Sequence, residues 1–540
     1  MQQQKPKFIF VSGGVISGLG KGITVASISR LLSSRGVSVC PVKCENYLNI
    51  DSGTIRPTEH GEVFVCDDGI ECDQDLGHYE RFLDIPLRRA NFITMGQIYQ
   101  TVIDRERHMG YDGEDVEAIP HICNEIMRRF DEAAQQSKAD VVIIELGGTA
   151  GEYQNVFYYE TARMMRRKNP ESTTHIHVVY LPVPASIGEL KSKPAQMSVK
   201  MLNSMGIQPD FLVCRAERTI DAPRINTLSR NCGLEKDDII ANPDVPSIYE
   251  VPLVFEDQGF ADKILAKLSI TPGKQDMTEW RDFVSRIKKA SRTVKIGVVG
   301  KYFTTGDYHL EDSYVSVIEA IKHAAWAHDA KPLISWVDSE AIEREGTDAL
   351  EKFDAIIVPG GFGARGTEGM IQTVRFAREK NKPYLGLCFG LHMAVIEFAR
   401  NVCGMQGANT TEIDPETNYP VISLLEEQHS RMEKSEYGAT MRLGAFPAVL
   451  KEGSLVRKEY GRSEISERHR HRYEVNPRFI EQLESKGLVF SGQSPDRKLM
   501  EFLELLGHRY FVATQAHPEF KSRPMKPSPL FDGLIRAALS

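Results

Sequence analysis

Pro383-Tyr384-Leu385-Gly386-Leu387-Cys388-Phe389-Gly390 is an apolar strand that breaks on a Gly-x-Cys-x-Gly turn, and a helical pattern follows in Leu391, Met393, Ala394, Ile396 and Phe398. Glycines on both sides of the cysteine permit the strained strand-to-helix turn that presents a nucleophile. A thiol at a helix N-terminus also meets the positive end of the dipole, which lowers its pKa toward the reactive thiolate. A buried, inert cysteine after a strand would carry the same motif, so its partners decide the matter.

Those partners lie downstream. Thr514-Gln515-Ala516-His517-Pro518-Glu519-Phe520 spaces His517 and Glu519 two apart, so on an extended segment both point the same way and the carboxylate can orient the imidazole. Upstream, Ile356-Ile357-Val358-Pro359-Gly360-Gly361-Phe362-Gly363 is a buried-strand run ending in glycines whose N–H groups could form an oxyanion hole. In this order the segments resemble the class I glutamine amidotransferase domain. That resemblance implies a flavodoxin-like fold that hydrolyses glutamine through a cysteinyl thioester and releases ammonia.

A chain of 540 residues has room for about two to four domains. Its 66 basic and 74 acidic residues give a net charge of −8, which argues against nonspecific binding to a nucleic acid polymer or an acidic membrane. The run Arg468-His469-Arg470-His471-Arg472 is the exception, and it reads as a local anion site. No apolar run approaches a membrane span, and the first residues lack a signal-peptide core. Nine scattered cysteines suggest a reducing, cytoplasmic location. Cys40-x3-Cys44 and Cys66-x5-Cys72 invite a zinc reading, but the spacing is unusual and no histidine partners them.

From residue 7 to about 265, apolar strands such as Phe8–Val11, Val141–Ile144 and Phe211–Cys214 alternate with amphipathic helices, the pattern of a parallel sheet covered on both faces. A second start appears at Val294–Gly300. The expected fold is α/β: a P-loop-like doubly wound domain over residues 1–270, a linker over 271–293, and a second doubly wound domain over 294–540.

The first strand runs into Ser12-Gly13-Gly14-Val15-Ile16-Ser17-Gly18-Leu19-Gly20-Lys21-Gly22, and a helix begins near Ile23. This is the context in which backbone N–H groups and a helix N-terminus bind phosphates, with a lysine as counter-charge. The strict Walker pattern fails, because Gly22 stands where Ser or Thr would hold magnesium. Carboxylates must then come from elsewhere, and Asp73, Asp75 and Glu145 stand at plausible strand ends.

Gly13–Gly22, His60-Gly61-Glu62-Val63-Phe64-Val65, Asp75–Phe82, Ile119-Pro120-His121-Ile122, Glu189–Pro194, Met441–Gly444 and Glu467–Glu474 together resemble the CTP synthase family over nearly the whole chain. The resemblance implies ATP-dependent phosphorylation of UTP at O4, then displacement by ammonia to give CTP. Lys21 and Lys43 would act on phosphates, and Asp75 and Glu145 would hold magnesium. Ser17, Gly18, Leu19, Gly20, Gly22, Ile23, Glu152, Gln154, Lys191, Lys193 and Gln196 would bind nucleotides. His60 and Val63 would line an ammonia tunnel. Gly361, Phe389, His392, Glu412 and Arg472 would bind glutamine beside Cys388, His517 and Glu519. The resemblance also implies GTP as activator, CTP as inhibitor, and a homotetramer built through the N-terminal domain.

Several positions depart from that family's pattern. Ala150-Gly151-Glu152-Tyr153-Gln154 replaces Val-Gly-Asp-Ile-Glu, Asp115-Val116-Glu117 replaces Thr-Val-Gln, Thr227 replaces a lysine with Arg224 nearby, and His392 replaces a glutamine four residues after the nucleophile. The first three cluster around base and sugar recognition, and the last concerns the grip on glutamine. Two other readings remain open from sequence: a related amidoligase acting on a carboxylate, and a nucleotide-binding assembly protein with a decayed site.

Overall fold

A computed structural model describes residues 5–301, 304–305, 308–309, 311–424 and 441–540; of 304, 305, 308, 309 and 311 it describes the backbone alone. The chain divides into two compact units, Met1–Thr54 with Asp75–Val284, and Ile55–Gln74 with Ser285–Ser540. Among the described residues no helix is long and apolar enough to cross a membrane.

The first unit is built on seven strands in the spatial order Phe92–Thr94, Val39–Glu45, Val141–Leu146, Lys7–Gly13, Thr173–Tyr180, Phe211–Ala216, Ile239–Pro243. Every neighbouring pair runs parallel. Their side chains are buried on both faces, as in Val141–Leu146, where no residue is exposed, because helices cover both sides. The ends of three neighbouring strands therefore carry Gly13, Lys43 and Glu145 to one edge, with Lys43 in register with Glu145.

The second unit holds a sheet of nine strands. Ala330–Asp338, Arg292–Gly300, Ala355–Val358, Tyr384–Leu387 and Phe511–Thr514 are parallel, and Met500–Leu505, Leu488–Gln493, Arg442–Leu450 and Glu464–His471 extend it antiparallel. Leu387 lies opposite Thr514, so the residues just beyond them, Cys388 and Gln515, emerge side by side.

The contact division departs from the sequence boundaries in two places. Residues 55–74, from the N-terminal half of the chain, belong to the second unit. They form the hairpin Val63–Val65 with Glu71–Asp73, and Arg468 and Arg470 hold it through Asp67 and Glu71, with Arg470 Nε to Glu71 Oε1 at 2.7 Å. Phe64 stacks edge-on to Phe520 at 5.0 Å, and Glu62 accepts the Ser316 N–H at 3.0 Å.

The second departure is the stretch 271–293, which contains the helix Thr278–Lys289. Its Trp280 and Phe283 are buried. Trp280 packs on Phe82 at 5.2 Å and Tyr249 at 5.9 Å, and its indole N–H donates to the Tyr249 carbonyl at 2.8 Å. An aromatic of this size carries much of its local core. Trp280→Ala is expected to destabilise the first unit by about 3–5 kcal/mol, read from urea unfolding followed by circular dichroism; an unchanged midpoint would show that the helix contributes nothing to that core.

Candidate active sites

In the first unit, the turn after Lys7–Gly13 leads into the helix Lys21–Ser33, with Gly20 as its left-handed N-cap at φ 81°. Lys21 folds back so that its ammonium donates to the Gly148 carbonyl. Burial pushes the Lys21 ammonium below its usual range, Glu145 opposes that, and Lys43 adds to it. Lys43 is buried among carboxylates: its Nζ lies 2.9 Å from Glu145 Oε1, 3.3 Å from Glu45 Oε1 and in contact with Asp75 Oδ2. Tyr79 donates its hydroxyl to the other oxygen of Glu145.

Gly22 acquires a physical reason here. A Cβ at that position would meet Asp75 Oδ1 at 1.9 Å. The space that a Walker hydroxyl would need is filled by a carboxylate. Asp75 and Glu145 already converge on one cationic group, and both offer hard oxygen donors, so the residues present suit magnesium. Asp73, the other candidate, belongs to the hairpin of the second unit and pairs with His60 Nδ1 at 3.1 Å. Val63 is buried in the first strand of that hairpin.

The remaining expected nucleotide residues are distributed over the first unit. Ser17 and Gly18 are exposed at the tip of the glycine-rich turn, Leu19 is buried and Ile23 half-buried. Lys191 and Arg224 both bind Glu189, Arg224 at 2.6 Å, so Arg224 shares the carboxylate that holds Lys191. Lys193 begins the helix Lys193–Ser204, and Gln196 Nε2 donates to Ser192 Oγ at 3.1 Å. Glu152 turns inward, accepting from Thr149 N at 2.7 Å and Asn46 Nδ2 at 3.1 Å. Gln154 points to solvent, and the Thr227 hydroxyl donates within its own helix, to the Pro223 carbonyl at 2.8 Å.

In the second unit, Cys388 caps the helix Phe389–Asn401 at φ 49°, ψ −100°, a strained conformation for a residue with a side chain. Gly390 is required next to it, because a Cβ there would meet the Val358 carbonyl oxygen at 2.2 Å. The thiol lies 3.9 Å from the Arg470 carbonyl. His517 Nδ1 binds Glu519 Oε1 at 2.7 Å and its ring stacks on Phe520 at 5.1 Å. Burial disfavours the charged imidazole, but Glu519 and the Cys388 thiol outweigh it and raise the His517 pKa to about 10. Cys388, His517 and Glu519 thus form one group on adjacent strand ends.

Around them, Glu412 accepts the Gly363 N–H at 2.8 Å; burial raises its pKa, with Lys301 and Arg472 opposing. Gly361 lies beside the Phe389 ring, since a Cβ on Gly361 would be 3.8 Å from it. The Phe389 N–H is in the first helical turn, where no intrahelical acceptor exists. His392 is buried and its Nε2 is taken by Gln515 Oε1 at 3.0 Å.

Lys301 escaped the sequence reading. It follows the strand Arg292–Gly300, donates to the Phe362 carbonyl at 3.1 Å and lies 4.5 Å from the centre of the Phe389 ring. Burial lowers its pKa to about 8. A lysine directly after a buried parallel strand was the available signal.

The basic run 468–472 is not one anion site. Side chains alternate along a strand: Arg468 and Arg470 face the hairpin's Asp67 and Glu71, whereas His469 and His471 face the buried side and are held neutral there by burial. Of the cysteine pairs, Cys66 and Cys72 stand 3.9 Å apart across the hairpin, and none of the nine cysteines forms a disulfide.

Two family models match the chain, "CTP synthase N-terminus" over residues 7–270 and "Glutamine amidotransferase class-I" over residues 309–537. The CTP synthase of Methanocaldococcus jannaschii is 50% identical over 541 residues, covering 99% of this chain and 98% of that one. The chain belongs to the CTP synthase family. It is therefore an enzyme of a glutamine-dependent ligase family. Another CTP synthase relative, from Thermococcus gammatolerans, is 49% identical over 534 residues, covering 98% of each chain. Among solved structures, the glutaminase domain of Trypanosoma brucei CTPS with bound acivicin is 37% identical, covers 46% of this chain and 94% of that one, and has a TM-score of 0.42.

The raised His517 pKa has a direction that can be tested. A histidine held above its ordinary 6.5 contributes stability below that value and loses it as pH rises through about 10. The imidazolium of His517 therefore persists to about pH 10. Glutaminase kcat/KM is expected to fall only above that point, and Glu519→Gln should move the alkaline limb down by about one pH unit or more. An unmoved limb would remove Glu519 as the cause.

Proposed function

We propose that the protein converts UTP to CTP with ATP and glutamine, using the second unit as the glutaminase and the first as the amidoligase. The observation that carries this reading is the Lys43 ammonium between Asp75 and Glu145, at strand ends beside the glycine-rich turn. It supplies phosphoryl-transfer chemistry to a chain whose Cys388, His517 and Glu519 are arranged to release ammonia.

In the glutaminase, the Cys388 thiolate attacks the carboxamide carbon, and the N–H groups of Gly361 and Phe389 receive the developing oxyanion. The C–N bond breaks as His517 gives its proton to the leaving ammonia. His517, again a base, then takes a proton from water, which hydrolyses the thioester to glutamate. Arg472 suits the α-carboxylate of glutamine and Glu412 its ammonium. In the amidoligase, O4 of UTP attacks the γ-phosphorus of ATP, ADP leaves, and ammonia displaces phosphate at C4. The ammonium of Lys21 stabilises charge on the transferring phosphoryl group. Asp75 and Glu145 would hold magnesium, which when bound neutralises phosphate charge.

The nucleotide contacts of the turn Ser17–Gly22 and Ile23, of Lys191, Lys193 and Gln196, and of Glu152 and Gln154, belong to this reading. So do the tunnel residues His60 and Val63, activation by GTP, inhibition by CTP, and a homotetramer assembled through the first unit. Family membership supports each of them except Gln154, where this chain departs from the family's pattern.

Product analysis with UTP, ATP, magnesium and either glutamine or ammonium, with and without GTP, tests the scheme. Cys388→Ala is expected to abolish glutamine-supported CTP formation while ammonium still supports it. Intact glutamine use in that variant would sink the reading. Because Gln154, Glu117 and Thr227 depart from the family around the base and sugar, CTP inhibition at fixed UTP is expected to be displaced from the curve of an ordinary family member; superimposable curves would reject that expectation.

A further inference from the structure

Gln515 is fully buried one residue beyond the strand Phe511–Thr514, with its backbone N–H anchored on the Glu501 carbonyl at 2.8 Å. The parallel register with Tyr384–Leu387 brings it beside Cys388. Its amide has a defined orientation. Oε1 lies 3.0 Å from His392 Nε2, and Nε2 lies 4.0 Å from Cys388 Sγ. An amide oxygen can only accept, so the His392 ring carries its proton on Nε2 and donates it. The amide nitrogen, left with two donors, then faces the sulfur.

We propose that Gln515 is a catalytic donor to the Cys388 thiolate, and that His392 is the positioning residue that turns the amide so that its N–H group, not its oxygen, faces the sulfur. Resting on Cys388 as the nucleophile, this deepens the glutaminase reading. The amide N–H stabilises negative charge on sulfur in the free enzyme and again when the thioester is cleaved and the thiolate returns. With the amide reversed, a carbonyl dipole would oppose the thiolate. Of the states open to the imidazole, the neutral one with its hydrogen on Nε2 enforces the productive orientation without adding a charge. Burial keeps it neutral, with a pKa lowered to about 4.

The other groups that bear on the sulfur are accounted for. His517, on the segment after Phe511–Thr514, is close enough that the thiol helps raise its pKa, and Glu519 is spent on His517. Arg470, on Glu464–His471, offers its backbone carbonyl while its guanidinium binds Glu71. Lys301 faces the Phe389 ring, and His471 is neutral behind His392. Among the described groups these leave the Gln515 amide as an uncharged donor placed at the thiol.

The test reads alkylation of Cys388 by iodoacetamide in the full chain without substrate, from about pH 5 to 10, with the modified peptide identified by mass spectrometry. Gln515→Leu is expected to raise the midpoint by about one pH unit and slow alkylation at neutral pH about tenfold. It should lower kcat for glutamine hydrolysis while KM changes by no more than about twofold. Gln515→Glu, which keeps the size of the side chain, should shift the midpoint at least as far, because a carboxylate repels the thiolate. His392→Leu should shift it in the same direction and less. His392→Gln, whose amide N–H can donate to Gln515 Oε1, should restore the parent profile.

Alkylation profiles unchanged in both Gln515→Leu and Gln515→Glu would overturn the proposal. So would a loss confined to KM, which would make Gln515 part of the glutamine pocket wall. The alkylation readout needs no turnover, so its failure is distinguishable from failure of the CTP-forming scheme.

Discussion

The ammonium of Lys43, buried among Glu45, Asp75 and Glu145, is the interaction on which the first unit's site depends. Burying a charge costs several kcal/mol unless it is paired, and here three carboxylates would repel one another without a cation between them. The surrounding residues follow from that need. Gly22 has no side chain because Asp75 occupies its space, and Tyr79 spends its hydroxyl on the free oxygen of Glu145. Lys21, turned toward the Gly148 carbonyl, has its pKa lowered by burial, against the pull of Glu145.

The second unit gathers its candidate catalytic groups around a thiol. The parallel strands Tyr384–Leu387 and Phe511–Thr514 end together, so Cys388, His517 and the Gln515 amide come from two adjacent strand ends. Backbone strain at Cys388 is tolerated because the helix that follows is buried against Val358, where only glycine at 390 fits. The hairpin 63–73, clamped by Arg468 and Arg470, holds the strand whose Arg470 carbonyl faces the thiol.

Local sequence patterns made the elbow, the glycine-rich turn and the alternating strands legible. Each depends on residues adjacent in the chain: apolar runs, glycines flanking Cys388, and His517 two before Glu519. Gln515 was not legible as a site residue, because nothing within its own segment marks it, and Lys301 was marked only by its place directly after a buried parallel strand. Likewise the polar stretch 271–293 concealed Trp280, whose burial depends on Phe82 and Tyr249 far away in the chain.

The sequence by itself determined the α/β class and the resemblance that family comparison then established, and it picked out Cys388, His517, Glu519 and the glycine-rich turn as candidates. Tertiary structure decided that residues 55–74 belong with the C-terminal half and that the run 468–472 is split between a clamp and a buried histidine pair. It also decided which way the Gln515 amide turns. The physical reason is the same throughout. Strand periodicity and turn chemistry are properties of neighbours in sequence, whereas charge pairing, steric exclusion at Gly22 and amide orientation are set by atoms from separate segments.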